Sequence, residues 1–155
     1  MGATVDLQLA SDKPDLIEQK ILTKWVDAVL EHHSDPDKEL TIRLVGIPES
    51  QQLNLTWRQR DCPTNVLSFP FECPPEVDLP LLGDIIICVP LVAAEAKEQN
   101  KSLESHWAHL VIHGTLHLLG HDHIEEQPAQ IMENIEVKIL KKLGYPNPYH
   151  LIDPS

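Results

Sequence analysis

Apolar and polar residues alternate with a period of two at Val5, Leu7 and Leu9, and again at Leu40, Ile42 and Leu44. That period turns one side of an extended chain inward and predicts strands over residues 4–9 and 40–46. Between them Ile17, Ile21, Trp25 and Val29 recur every four positions, the spacing of one helix face. Pro14, which a first helical turn tolerates, opens this helix; it runs to about Leu30 and gives way to a loop over residues 32–36. Pro48 opens a short helix to about Arg58, and residues 65–69 form a short strand. Pro70, Pro74, Pro75 and Pro80 make the stretch that follows a loop. Residues 83–88 are nearly all apolar and β-branched, as in a strand covered on both faces.

Pro90 begins an alanine-rich helix to about Gln99, and Ser102 caps the next helix, about 103–119. Pro128 opens the last helix, whose Ile131, Ile135, Ile139 and Leu143 form one face before Gly144 and Pro146 stop it. Strands and helices interleave without a repeat or a linker. The pattern predicts one domain over residues 1–155, a mixed sheet of roughly four strands packed by about five helices.

Composition changes this picture little. Of 155 residues, 42% are apolar and 23% charged, an ordinary globular balance, and no apolar run approaches the roughly 20 residues of a membrane span. The N-terminus lacks a basic segment followed by an apolar one, so no secretory signal is expected. Cys62, Cys73 and Cys88 are odd in number and form no Cys-x-x-Cys pair, which favours reduced thiols and a cytosolic setting. The net charge of −12 argues against nonspecific nucleic-acid binding but leaves room for a local basic groove. Arg43, Arg58 and Arg60 fall where acids are sparse; Lys138, Lys141 and Lys142 read as a solvated last helical turn.

The chemistry concentrates in residues 113–123, His-Gly-Thr-Leu-His-Leu-Leu-Gly-His-Asp-His. His113 and His117 lie one helical turn apart on one face. Gly120 can end the helix in the left-handed conformation, letting His123 close a three-imidazole site from the other side. Three neutral imidazoles suit zinc and leave a fourth position open, as in catalytic sites. His121 would ligate instead if the helix continued; the turn at Gly120 favours His123. At about 100° per residue, His106 and His109 share the stripe with His113 and His117. They read as hydrogen-bonded core or surface residues, or as supports to a ligand rather than ligands.

The spacing resembles that of the metzincin proteases, with three histidines and a glycine in register. Gly114, however, stands where those proteases carry a glutamate base, which disfavours peptide hydrolysis. A phosphodiester needs a cation more than a carboxylate, and an arginine fork fits a phosphate.

The 113–123 run resembles the signature of the YbeY family of bacterial rRNA-maturation endoribonucleases. So do Asn54-Leu-Thr-Trp-Arg58 with Pro63-Thr-Asn-Val-Leu-Ser-Phe-Pro70, and Gly83-Asp84-Ile85. The resemblance spans most of the chain. It implies an α+β fold with a metzincin-like zinc-hydrolase core, and one Zn²⁺ on His113, His117 and His123. It implies single-strand-specific RNA cleavage, maturation of the 16S rRNA 3′ end, 70S ribosome quality control, ribosomal partners and a cytoplasmic location, with no membrane association. Arg58 matches the family's important basic residue. His121 departs from it, since tyrosine is usual there. The resulting expectation is that His113 helps hold the ion, which polarises water or a phosphate oxygen, while Arg58 holds the scissile phosphate. Asp84 and Asp122 are weaker candidates, read as backbone or histidine partners. Two other classes remain open at this stage, a metal-dependent hydrolase of peptides and a ribosome-assembly factor with structural zinc.

Overall fold

The computed structural model describes residues 4–9, 19–32, 38–70, 81–119 and 126–148. Alternation along β2 (Glu39–Val45) buries Leu40, Ile42 and Leu44, and sends Arg43 outward. β2 pairs in parallel with β1 (Thr4–Leu9) on one side and with β4 (Leu81–Cys88) on the other. β3 (Val66–Pro70) runs antiparallel to β4, giving the order β1-β2-β4-β3 with β3 at an edge. One irregularity is built into this sheet. Leu81 faces Glu39 but Gly83 faces Leu40, so β4 carries an extra residue there, and Gly83 has φ 143°, a conformation that needs glycine.

Helices cover both faces. On one, α1 (Gln19–His32), α4 (Leu103–Leu118) and α5 (Glu126–Leu143) pack over Ile42, Leu44, Ile85 and Ile87. On the other, Val45, Leu67, Ile86 and Cys88 meet Leu53 of α2 (Ile47–Arg58) and Leu91 of α3 (Val89–Glu98). The expected mixed four-stranded sheet and five helices are therefore present among the described residues. β4 is buried on both faces from Ile85 to Cys88, as its apolar run predicts. Among those residues no helix is long and apolar enough to cross a membrane.

Three readings shift. The buried stripe of α1 is Leu22, Trp25, Val26, Val29 and Leu30, with Ile21 half-buried at its border; Pro14 and Ile17 lie outside the described residues. α5 begins before Pro128; of its expected face Ile139 is buried and Ile135 and Leu143 pack against the core, joined by Met132, Glu136 and Leu140, while Ile131 is 56% exposed. Both helices pack across two adjacent ridges, so a single i, i+4 row misplaces the face by part of a turn. Finally, Arg43 does not belong to a basic groove. Its guanidinium grips both oxygens of Glu49 at 2.6 and 3.1 Å and reaches Gln8 at 3.2 Å.

Candidate metal centre

α4 is the central helix of the domain, and eleven of its sixteen residues are buried. It starts as its sequence predicts: Ser102 is extended and its hydroxyl accepts the Ser105 N–H at 3.1 Å. A helix buried nearly all round must give each polar side chain a partner. His106 meets Glu95 of α3 at 3.0 Å, and Asn65 also donates to that carboxylate. His109 and His113 both meet Glu136 of α5, at 3.3 and 2.7 Å, and the Glu136 side chain is wholly buried.

That carboxylate decides which imidazole nitrogens are available. Burial pushes Glu136 upward, but hydrogen bonds from His109 and His113, with their charge, outweigh it and hold the group at about 2. It is ionised at neutral pH and can only accept. His113 therefore directs an Nδ1–H at Glu136 and turns its Nε2 away from the carboxylate. His109 is pushed toward its neutral form, first by burial and further by His113 and Lys101, against the pull of Glu136. A neutral ring with Nε2–H still donates to Glu136.

The Nε2 of His113 faces the next turn. It lies 3.1 Å from His117 Nε2, with the rings at 76°. Ligand atoms 2.0–2.1 Å from a tetrahedral zinc stand about 3.3 Å apart, so two nitrogens at this separation suit a shared cation. Both rings are half-buried rather than sealed, which leaves a side open to solvent.

His109, His113 and Glu136 also bring one donor atom each within 4.8 Å of one another, a possible metal site. The 2.7 Å contact inside this trio is the length of a charge-assisted hydrogen bond and is shorter than neighbouring ligands keep around a zinc. The carboxylate is accordingly better placed as the support of His113 than as a ligand beside it.

His123, the expected third ligand, lies outside the described residues, as do Gly120, His121 and Asp122. Asp84 is exposed within β4 rather than at its start. Among the cysteines, Cys62 and Cys88 are free thiols; burial pushes the Cys88 thiol up and keeps it protonated. Cys73 falls outside the described residues.

Arg58 ends α2, and its Nη2 lies 3.5 Å from the carbonyl of Ser68 on β3. The Ser68 hydroxyl in turn donates to Gly114 O at 3.3 Å, one residue from His113. Two motifs far apart in sequence thus meet across the sheet edge. Helix and strand approach so closely because position 114 has no side chain. A Cβ there would lie 3.1 Å from Ile85 Cγ2 and 3.2 Å from Ser68 Oγ. Position 114 faces the sheet, so a glutamate there would run into Ile85. For Gly114→Ala we expect a loss of about 1–2 kcal/mol, because overpacking against a fully buried isoleucine outweighs the helix-propensity gain. Urea unfolding at fixed metal content checks this.

The sequence reading missed Glu136 and Glu95, the carboxylates that hold the histidine stripe. A signal for Glu136 exists: it lies in register with Met132, Ile139 and Leu140, a charged residue within an apolar stripe.

Comparison with known proteins adds two findings. A family model described as "Endoribonuclease YbeY" matches residues 8–144. The solution structure of TM1509 from Thermotoga maritima superposes with a TM-score of 0.58 at 26% identity, over 90% of this chain and 91% of that one.

Proposed function

The chain belongs to the YbeY endoribonuclease family, and from that premise we propose that it is a zinc-dependent endoribonuclease specific for single-stranded RNA. Its role would be maturation of the 16S rRNA 3′ end and 70S ribosome quality control, in the cytoplasm and in contact with ribosomal components. The observation that supports this most is the pair of imidazole nitrogens, 3.1 Å apart, with His113 oriented by a buried carboxylate. His113, His117 and His123 would hold the ion. Bound there, zinc would supply a Lewis acid and bring a water pKa to about 7.

The protein's own residues do the rest. Glu136 keeps the His113 proton on Nδ1. Arg58 offers a planar fork beside the site for the scissile phosphate and for the charge that grows on its oxygens. Its 3.5 Å contact with the Ser68 carbonyl is long, so a phosphate can compete for the guanidinium. The peptide-hydrolase alternative draws no support from position 114, which is turned into the sheet.

Purified protein should cleave single-stranded RNA and lose that activity to a chelator. Arg58→Ala should lower kcat/KM by about a hundredfold or more, the usual effect of removing one preorganised donor, with metal content unchanged. Wild-type cleavage rates in that variant under metal-limited conditions would refute the assignment.

A further inference from the structure

Among the large apolar side chains described, Trp57 is the most exposed, at 64%, on the last turn of α2. The next residue is Arg58. The indole does not lie flat on the protein. It meets Phe69 of β3 edge to face, with centroids 5.8 Å apart and planes at 65°, so one neighbour fixes its orientation while most of it stays in water. β3 carries both contacts, Phe69 to Trp57 and Ser68 O to Arg58, and the Ser68 hydroxyl reaches the backbone beside His113. In sequence Arg58 and Arg60 follow the indole and no acid occurs between Glu49 and Asp61, which Gln51 engages, while Asp84 stands opposite Phe69 across the β3–β4 ladder.

A large flat ring held in water beside a guanidinium suits a partner that alternates aromatic faces with anionic groups. Single-stranded nucleic acid does so, nucleotide after nucleotide. Tryptophan beside arginine also suits a protein interface, an occupant the test below separates, whereas an anion alone would have no use for the indole. Resting on the endoribonuclease reading above, we propose that Trp57 and Arg58 form one subsite of the substrate groove. There a nucleobase stacks on the Trp57 face, and the guanidinium takes the adjoining phosphate. Trp57 is a positioning residue in this arrangement: it sets which phosphate reaches Arg58 and the histidine pair and takes no part in bond cleavage. A stacking contact tolerates any base, so the subsite favours unpaired RNA without reading its sequence.

The protein carries its own reporter. Of its three tryptophans, Trp25 and Trp107 are buried, at 1% and 0% exposure, so quenching from solution reads Trp57. The holoprotein is titrated with a single-stranded RNA of about ten nucleotides, within the usual span of such grooves, and with a base-free ribose-phosphate oligomer of equal length. The RNA should quench the indole emission; the base-free oligomer should bind more weakly and leave it bright. Trp57→Ala should raise Kd and KM for RNA by about 5- to 100-fold, the range measured for one stacked base, with kcat within about threefold of wild type. Trp57→Phe should restore most of the affinity, which separates lost stacking from a misfolded α2.

Equal quenching by the base-free oligomer overturns the proposal, as does an RNA affinity of Trp57→Ala within about twofold of wild type. A dimer in sedimentation that Trp57→Ala dissolves would assign the patch to a second copy of the chain and overturn it as well. If wild type cleaves RNA and Trp57→Ala is indifferent, only this subsite fails. If wild type neither binds nor cleaves RNA, the endoribonuclease reading fails and the subsite with it.

Discussion

Replacing His117 with alanine is expected to cut RNA cleavage by about a thousandfold and to leave the purified protein with far less than one zinc per chain. The size follows from chemistry. A Lewis acid contributes several kcal/mol to stabilising charge on a transferring phosphate, and each 1.4 kcal/mol is a factor of ten in rate. His117 is the informative position because its ring is half-buried and its Nε2 faces that of His113 at 3.1 Å. Circular dichroism of the variant should show an intact fold. Metal content by a colorimetric chelator, measured beside single-turnover cleavage, tests the pair together. An active, zinc-poor variant would refute the ligand assignment. An inactive variant that keeps its zinc would move the residue from ion binding to another part of the reaction.

The second large effect belongs to Glu136. Substitution by glutamine preserves shape but removes the charge that accepts from two imidazoles at once. Two consequences are expected. Zinc affinity should fall by about 10- to 100-fold, the usual result of losing the group that orients a ligand histidine. Stability should fall too, in a pH-dependent way.

In the folded protein the carboxyl sits at about 2, below its ordinary 4.5. A depressed carboxyl stabilises the fold fully above the unfolded value and loses that contribution as pH falls toward the folded one. Wild type should therefore exceed Glu136→Gln by on the order of 3 kcal/mol at pH 6–7, and the gap should narrow between pH 4.5 and 2. Metal-free protein, unfolded in urea across that range, gives the comparison without interference from ion release. A gap that is constant with pH would mean that Glu136 acts through packing alone.

Where the sequence was legible, one physical signal dominated each element. Leu40, Ile42 and Leu44 alternate because β2 has a core side and an outer side, and the structure keeps that side. Ser102 caps α4 because only its hydroxyl is placed to satisfy the Ser105 N–H. His113 and His117 meet because one helical turn brings them together. Legibility failed where a residue's role depends on a distant partner. Nothing near Arg43 in sequence distinguishes it from Arg58; the turn into α2 brings Glu49 to one and not to the other. The inner face of α5 is only partly legible: Ile135, Ile139 and Leu143 of the tidy row pack inward, Ile131 does not, and the buried side adds a charged residue. Glu136 is tolerated inside where α4 presents two histidines to it. Gly114 reads in the sequence as a missing base; in the fold it is also the place where helix and strand nearly touch.

The burial of α4 has an evolutionary consequence. Many enzymes hang their reactive groups on loops, which can drift without disturbing the scaffold. Here His113 and His117 share one helix with Trp107, Ile112 and Leu116, which are fully buried. On the proposed assignment, selection for folding and selection for chemistry fall on the same stretch, which would then have little freedom to explore new reactions. If Trp57 lines the substrate groove as proposed, adaptation to other RNAs would enter from the rim, through exposed positions such as this one on α2, where a change of side chain leaves the core untouched. The fold thus separates a part of the molecule that is nearly frozen from one that can be retuned.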